Sequence, residues 1–132
     1  MSAVEAARQM LDGFAAGDLE AALGALDPEL ELTYSEAVPW SGVHRGHAGF
    51  VGFVTTMTER FDVEILGYEL FDAGDVATSR IMTRFTARAT GESVEMPVVE
   101  VYWARDGKLH RIEPYYFNQT VISEMYAKAG AA

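Results

Sequence analysis

The chain has 132 residues and no cysteine, and its 20 acidic side chains outnumber 10 lysines and arginines, which gives a net charge of −10. This length predicts one domain over residues 1–132 that buries roughly two thirds of the unfolded chain's surface. The absence of cysteine excludes disulfides, thiolate nucleophiles and cysteine-ligated zinc, and the acidic charge disfavours nucleic acid and anionic lipid surfaces as partners.

The amino-terminal segment carries Glu5 and Asp12 and lacks a basic region followed by an apolar stretch. No apolar run elsewhere approaches the length of a membrane span. We therefore expect no secretory signal, no membrane contact and a cytoplasmic location.

The first third of the chain is predicted to form two helices and a strand. Apolar side chains recur at helical spacing over residues about 3–16, and Asp18 is expected to cap a second short helix that stops before Pro28. Residues 29–36 alternate apolar and polar side chains, which is typical of a half-buried strand.

A loop with the sequence AVPWSGVHRG, residues 37–46, comes next and contains Trp40. A large apolar ring in a loop either plugs the end of a core or forms the wall of a cavity. Residues 46–61 then predict a third helix, with Phe53 and Met57 on its buried face.

The second half of the chain changes to the period-two pattern of strands. Glycine-containing turns separate the strands, and residues about 120–128 predict a short helix. The four predicted strands cover residues 61–72, 76–89, 93–106 and 108–118. Helices followed by antiparallel strands predict the α+β class, and strands this long curl strongly, which leaves a conical cavity between sheet and helices.

Strand parity assigns a set of mixed side chains to one face of the last two strands. Glu100 shares its face with Tyr102, and His110 shares its face with Ile112 and Tyr116. A titratable group among apolar neighbours is what we expect where a cavity binds a ligand.

The opposite face of the same strand carries an apolar strip. It consists of Val99, Val101 and Trp103, and it is suited to a contact between two copies of the chain.

The chemistry expected of these groups depends on their surroundings. A carboxyl in an apolar cavity has a raised pKa, so Glu100 could move protons near neutral pH; alternatively it forms a structural ion pair with Arg80 or Arg84. Tyr34 and Tyr116 could donate hydrogen bonds to a carbonyl or enolate oxygen, or they only fill the core.

The three histidines give weaker signals. His110 has the pKa range of a proton shuttle but follows a hairpin, where it could simply be solvated. His44 and His47 lack an evident third ligand, so no metal site is expected.

Three stretches of the chain resemble a known family: FAAGDLEAALGALDPELEL, PWSGVHRGHAGFVGF and VYWARDGKLHRIEPYYFNQT. They are similar to the SnoaL-like branch of the nuclear-transport-factor-2-like (NTF2-like) superfamily, which includes ketosteroid isomerases, polyketide cyclases, scytalone dehydratase and limonene-epoxide hydrolase. The resemblance implies a conical barrel of a highly curved antiparallel sheet closed by three amino-terminal helices. It also implies a deep pocket with Trp40 as its lid or wall, no cofactor, and a homodimer packed through the outer sheet face.

The catalytic positions of the relatives transfer only in part. The resemblance places Tyr34 where the isomerases have an aspartate base, Met10 where they have a tyrosine, and Glu100 where they have a protonated aspartate. Asn118 stands where many polyketide cyclases have an aspartate. A standard ketosteroid isomerase mechanism is therefore not expected.

These observations predict a cofactor-independent enzyme that performs acid–base chemistry on a small, largely apolar carbonyl or polyketide-like substrate, as an isomerase, cyclase or dehydratase. The alternative is a non-catalytic protein of the same fold that binds a hydrophobic small molecule or serves as a dimeric scaffold. The catalytic candidates are Glu100, Tyr34, Tyr116 and His110. The side chains expected to contact the substrate are Trp40, Tyr102, Ile112, Phe53, Met57 and Asn118.

Overall fold

A computed structural model describes residues 2–131 and contains four helices and one six-stranded sheet, which confirms the α+β class. The helices are α1 (Ala3–Ala15), α2 (Leu19–Gly24), α3 (Gly46–Thr58) and α4 (Gln119–Ala131). The strands are β1 (Leu26–Tyr34), β2 (Gly42–Arg45), β3 (Phe61–Ala73), β4 (Val76–Ala87), β5 (Ser93–Arg105) and β6 (Lys108–Tyr116).

Side-chain caps fix the starts of the first two helices. At α1, the Ser2 hydroxyl accepts a hydrogen bond from the backbone N–H of Glu5, whose carboxylate accepts from the Ser2 N–H in return. At α2, the Asp18 carboxylate accepts from the Ala21 N–H at 3.0 Å, as its position in the sequence predicts.

The sheet has the order β2-β1-β6-β5-β4-β3. β1 and β6 run parallel, and the other neighbours run antiparallel. The expected closure into a barrel is wrong, because closure needs a hydrogen-bonded ladder between the edge strands, and within residues 2–131 none joins β2 to β3. Long curling strands alone do not supply that ladder.

The expectation that three amino-terminal helices alone close the sheet is also wrong, since a carboxy-terminal helix packs on the core as well. α1 packs across β3 to β6, and α3 packs against β1, β2 and β3. The fourth helix, α4, confirms the predicted carboxy-terminal helix and extends beyond it, with Ile122 and Met125 buried in the core.

Strand β2 lies within the segment that the sequence predicts as a loop. It pairs with β1 over four residues, with Leu32 opposite His44. β1 also starts earlier than predicted, because a register shift between Leu26 and Glu31 lets the strand continue through Pro28 without a regular ladder there.

The hairpin between β5 and β6 is the one that Asp-Gly predicts. Asp106 has φ 53° and Gly107 has φ 77°, the pair of positive values that a two-residue hairpin turn requires. This turn aligns the two strands so that Glu100 lies opposite Pro114.

Candidate functional site

A cavity lies between the inner face of the sheet and the helices α1 and α3, with an interior volume of about 70 Å³. Glu100 is the one carboxyl group among its described lining residues, which include no lysine, arginine or histidine. The lining residues are Met10, Leu11, Phe14, Leu32, Tyr34, Phe50, Phe53, Met57, Val63, Ile65, Ile81, Thr83, Phe85, Val98, Glu100, Ile112 and Tyr116.

Glu100 sits in the middle of β5, between Ser79 of β4 and Pro114 of β6. It is half-buried and lines the cavity, and the Tyr102 hydroxyl donates a hydrogen bond of 2.7 Å to its Oε1. Burial raises the pKa of Glu100 to about 7, and the hydrogen bond from Tyr102 opposes part of that rise. Both protonation states are therefore accessible near neutral pH.

The alternative of a structural ion pair for Glu100 is contradicted. Arg84 binds Glu95 at 2.9 Å and Glu64 at 3.4 Å on the outer face, and Arg80 is exposed there. Among residues 2–131, no basic side chain forms an ion pair with Glu100.

Tyr34 and Tyr116 line the cavity with stacked rings 5.8 Å apart. Burial, reinforced by the neighbouring Tyr116 and Glu100, raises the pKa of Tyr34 well above its ordinary value. Burial likewise raises the pKa of Tyr116, and hydrogen bonds from Tyr34 and Trp40 offset part of the rise. Both hydroxyls stay protonated at neutral pH, and because Tyr116 accepts from Tyr34 and Trp40, the proton of the Tyr116 hydroxyl is the one left to donate to an oxygen in the cavity.

Trp40 lies behind the cavity wall, although the sequence suggests a lid or wall. It is 2% exposed, and its Nε1–H donates to the Tyr116 hydroxyl at 3.0 Å. Its ring packs against Tyr34 and against Tyr126 of α4, and Ser123 of α4 donates to a carbonyl of the same loop. The loop is thus covered by α4, and the indole contacts the back of the lining rings of Tyr34, Phe53 and Tyr116.

Tyr102 also lies one layer behind the cavity. It is fully buried, and its hydroxyl contacts both Glu100 and the Ser79 hydroxyl, each at 2.7 Å. Ser79, which the sequence analysis does not single out, is 1% exposed. Ser79 has the same parity on β4 as Ile81, and this shared parity is the sequence signal that could have placed it on the inner face.

The remaining predicted contact residues divide into two groups. Phe53, Met57 and Ile112 line the cavity, as their helix face and strand parity suggest. Asn118 is exposed, and its Oδ1 accepts from the Val121 N–H at 3.2 Å, so it acts as a cap for α4.

His110 is separated from the other catalytic candidates. It lines a second cavity together with Arg45, Arg105 and Arg111, and does not line the first. Within residues 2–131, its Nδ1 is buried without a hydrogen-bond partner. The register shift in β1 opposite this part of β6 breaks the regular sheet and places His110 beside that surface.

Thr83 is a lining residue that sequence reasoning missed. It is 4% exposed, and its hydroxyl has only a 3.5 Å contact with the Ile81 carbonyl oxygen, which leaves it available to a ligand. Thr83 has the same parity on β4 as Ser79 and Phe85, so the alternating pattern could have placed it on the inner face. Its residue type gave no signal, because threonine is common in strands.

The described residues show no group of three or more histidine or acidic side chains arranged to hold a metal ion. No helix within residues 2–131 is long and apolar enough to cross a membrane.

Solved structures with the same fold have low sequence identity to this chain. An NTF2-like protein of unknown function from Burkholderia pseudomallei K96243 has TM-score 0.84 and 19% identity, covering 92% of this chain and 95% of its own. TerC, co-crystallised with polyporic acid, has TM-score 0.84 and 22% identity, with coverages of 94% and 97%. A candidate polyketide cyclase from Pseudomonas putida KT2440 has TM-score 0.80 and 19% identity, with coverages of 92% and 96%.

No protein of curated function matches the sequence. A family model described as the SnoaL-like domain matches residues 7–112, which is most of the chain. The α+β fold, an open sheet with helices on one face, agrees with that match and with the NTF2-like neighbours. The chain therefore belongs to the SnoaL-like domain family.

Proposed function

We propose that this protein is a cofactor-independent enzyme that performs acid–base chemistry on a small, largely apolar carbonyl substrate. The observation that carries the proposal is Glu100, a carboxyl with a pKa of about 7 in an apolar cavity that has no ion-pairing partner among the described residues. An acid of this strength exchanges protons efficiently at neutral pH.

The geometry of the cavity supports a separate role for each of its polar side chains. Ionised Glu100 removes a proton from the carbon next to the substrate carbonyl, while the Tyr116 hydroxyl, which itself accepts from Tyr34 and Trp40, donates a hydrogen bond to the developing enolate oxygen. Protonated Glu100 then returns the proton to a different atom of the substrate. The net result is an isomerisation, and the same enolate supports a ring closure or the loss of a hydroxyl group.

The lining also favours an uncharged ligand, because no cation of the described lining would balance a carboxylate or phosphate. The interior is about half of the roughly 150 Å³ that holds a benzene molecule in an engineered cavity. The reacting end of a substrate fits as the cavity stands, and a larger substrate requires flexible side chains such as Met10 and Met57 to move. The names of two neighbours of the same fold, a candidate polyketide cyclase and TerC with polyporic acid, agree with small-molecule chemistry.

The test is hydrogen–deuterium exchange at the carbon next to the carbonyl of simple ketones, acetone, cyclohexanone and acetophenone, followed by NMR in D₂O. The protein should accelerate the exchange, with a rate that rises with pH up to about 7 as Glu100 ionises and then levels off. Glu100→Gln should lower the rate by about 100-fold or more. Glu95→Gln, on the outer face of the same strand, is the matched control and should leave it unchanged.

Binding without chemistry is the second candidate, and the small interior favours it. Its signature is a change in the NMR titration of Glu100 on addition of acetophenone, with no exchange above the buffer rate. Exchange that is equally fast in native protein and Glu100→Gln would contradict the proposed enzyme.

A further inference from the structure

Three side chains from two neighbouring strands form a continuous chain of hydrogen bonds behind the cavity. Ser79 of β4 and Tyr102 of β5 have hydroxyl oxygens 2.7 Å apart, and the Tyr102 hydroxyl lies 2.7 Å from Oε1 of Glu100. Ser79 and Tyr102 are both buried, whereas Glu100 lines the cavity. The carboxyl is therefore held from its buried side.

The direction of these bonds follows from the chemistry of the last acceptor. An ionised carboxylate only accepts hydrogen bonds, so the Tyr102 hydroxyl must donate to Glu100. The oxygen of Tyr102 is then free to accept, and the Ser79 hydroxyl is the group placed to donate to it. Each donor polarises the next, which strengthens the bond that reaches Glu100.

We propose that Ser79 and Tyr102 are positioning residues that hold Oε1 of Glu100 as an acceptor and reserve Oε2 for proton exchange with the ligand. The inference rests on the proposed function, because it assigns the proton-moving role to Glu100. When Glu100 is protonated, the proton resides on Oε2, since Oε1 is occupied by the donor from Tyr102. The same bond stabilises the ionised form, so that the carboxyl can still ionise near neutral pH despite its burial.

The ionisable groups that face Glu100 come from three strands. Tyr102 lies on its own strand, Tyr34 on β1 and Tyr116 on β6. All three are phenols that stay neutral at this pH, so within the described chain they contribute hydrogen bonds and no opposing charge. Removing one donor should therefore change the titration of Glu100 directly.

The experiment is an NMR titration of the Glu100 side-chain carboxyl carbon in the native protein, Ser79→Ala and Tyr102→Phe. We expect the titration midpoint to rise by about one pH unit in Tyr102→Phe, because the ionised form loses a hydrogen bond to a charged acceptor. Ser79→Ala should raise the midpoint by a smaller amount, since the Tyr102 hydroxyl still donates to Glu100 but no longer accepts a hydrogen bond from Ser79.

The matched control is Tyr115→Phe, which removes a tyrosine–glutamate bond of 3.0 Å from the outer face of β6 and should leave Glu100 unchanged. An unchanged or lowered midpoint in both folded variants would overturn the inference. If Tyr102→Phe fails to fold, Ser79→Ala decides the question, together with the H₂O-to-D₂O isotope shift of the Glu100 carboxyl carbon in native protein, which a bound hydroxyl proton produces.

The two proposals fail in different ways. A native midpoint near the ordinary glutamate value would remove the proposed function and this inference with it. If the native midpoint is raised but stays the same in Ser79→Ala and Tyr102→Phe, only the positioning role is removed.

Discussion

Two glutamates of the same strand, five positions apart, have opposite environments. Glu95 is half exposed on the outer face and binds Arg84, which lies opposite it on β4. Glu100 lies on the inner face, opposite Ser79, in the wall of an apolar cavity.

The neighbouring strand therefore determines what each carboxyl group does. An acid that faces an arginine in water forms a screened surface pair of small energy. An acid that faces apolar side chains and neutral phenols keeps its proton until near neutral pH, which is the condition for moving it. Both residues are glutamate, so residue type alone does not distinguish them.

The largest expected effect concerns the pH dependence of stability. The pKa of Glu100 rises from 4.5 to about 7 on folding, so between these values the folded chain binds more protons than the unfolded chain. Stability should therefore fall as pH rises from about 4.5 to about 7, by about 3 kcal/mol.

Urea unfolding of native protein, Glu100→Gln and Glu95→Gln at several pH values measures this effect. The loss should disappear in Glu100→Gln, which carries no titrating group at that position, and persist in Glu95→Gln. Parallel pH profiles for native protein and Glu100→Gln would show that burial does not hold the proton on Glu100.

The two tryptophans also lie in different environments, one buried and one half-buried on the outer face. Trp40→Phe should cost about 2 kcal/mol, because it removes a buried hydrogen bond to Tyr116 and leaves space in a packed aromatic cluster. Trp103→Phe should cost less than about 0.5 kcal/mol, because Trp103 is half-buried on the outer face under Arg111. Equal losses in urea unfolding would mean that the inner position has no special role.

The exposed ion pair on the outer face should contribute least to stability. Glu95→Gln should cost about 0.5 kcal/mol at low salt, since its pair with Arg84 is solvent-exposed. Unfolding measured again in 1 M sodium chloride should show a smaller difference, because salt screens the pair. A loss that is large or independent of salt would mean that this pair is shielded from solvent, for example by a second copy of the chain.

Much of the fold could be predicted from hydrophobic periodicity. The four long strands were placed to within two residues, and the cap at Asp18 and the turn at Asp106 and Gly107 have the predicted roles, because local backbone chemistry fixes them. Strand β2 was missed because four mostly exposed residues carry no alternating pattern. The barrel was a wrong expectation because closure depends on which edges meet, which no single segment encodes.

Only part of the candidate site could be predicted from the sequence, for a related reason. Parity placed Glu100, Tyr116 and Ile112 on the inner face, but it cannot show how many layers separate a side chain from the cavity. Trp40 and Tyr102 accordingly lie one layer behind the wall. Homodimerisation through the outer face, where Val99 is 39% exposed, stays a prediction.

The fold class, the strand faces and the presence of one acid among apolar inward-facing residues can be read from the amino-acid sequence, because they follow from local periodicity and turn chemistry. Three further features emerge only in the folded chain: Arg84 faces away from Glu100, His110 lies at another surface, and Ser79 supports Tyr102. These are relations between segments distant along the chain, and they depend on strand register, which no local pattern specifies.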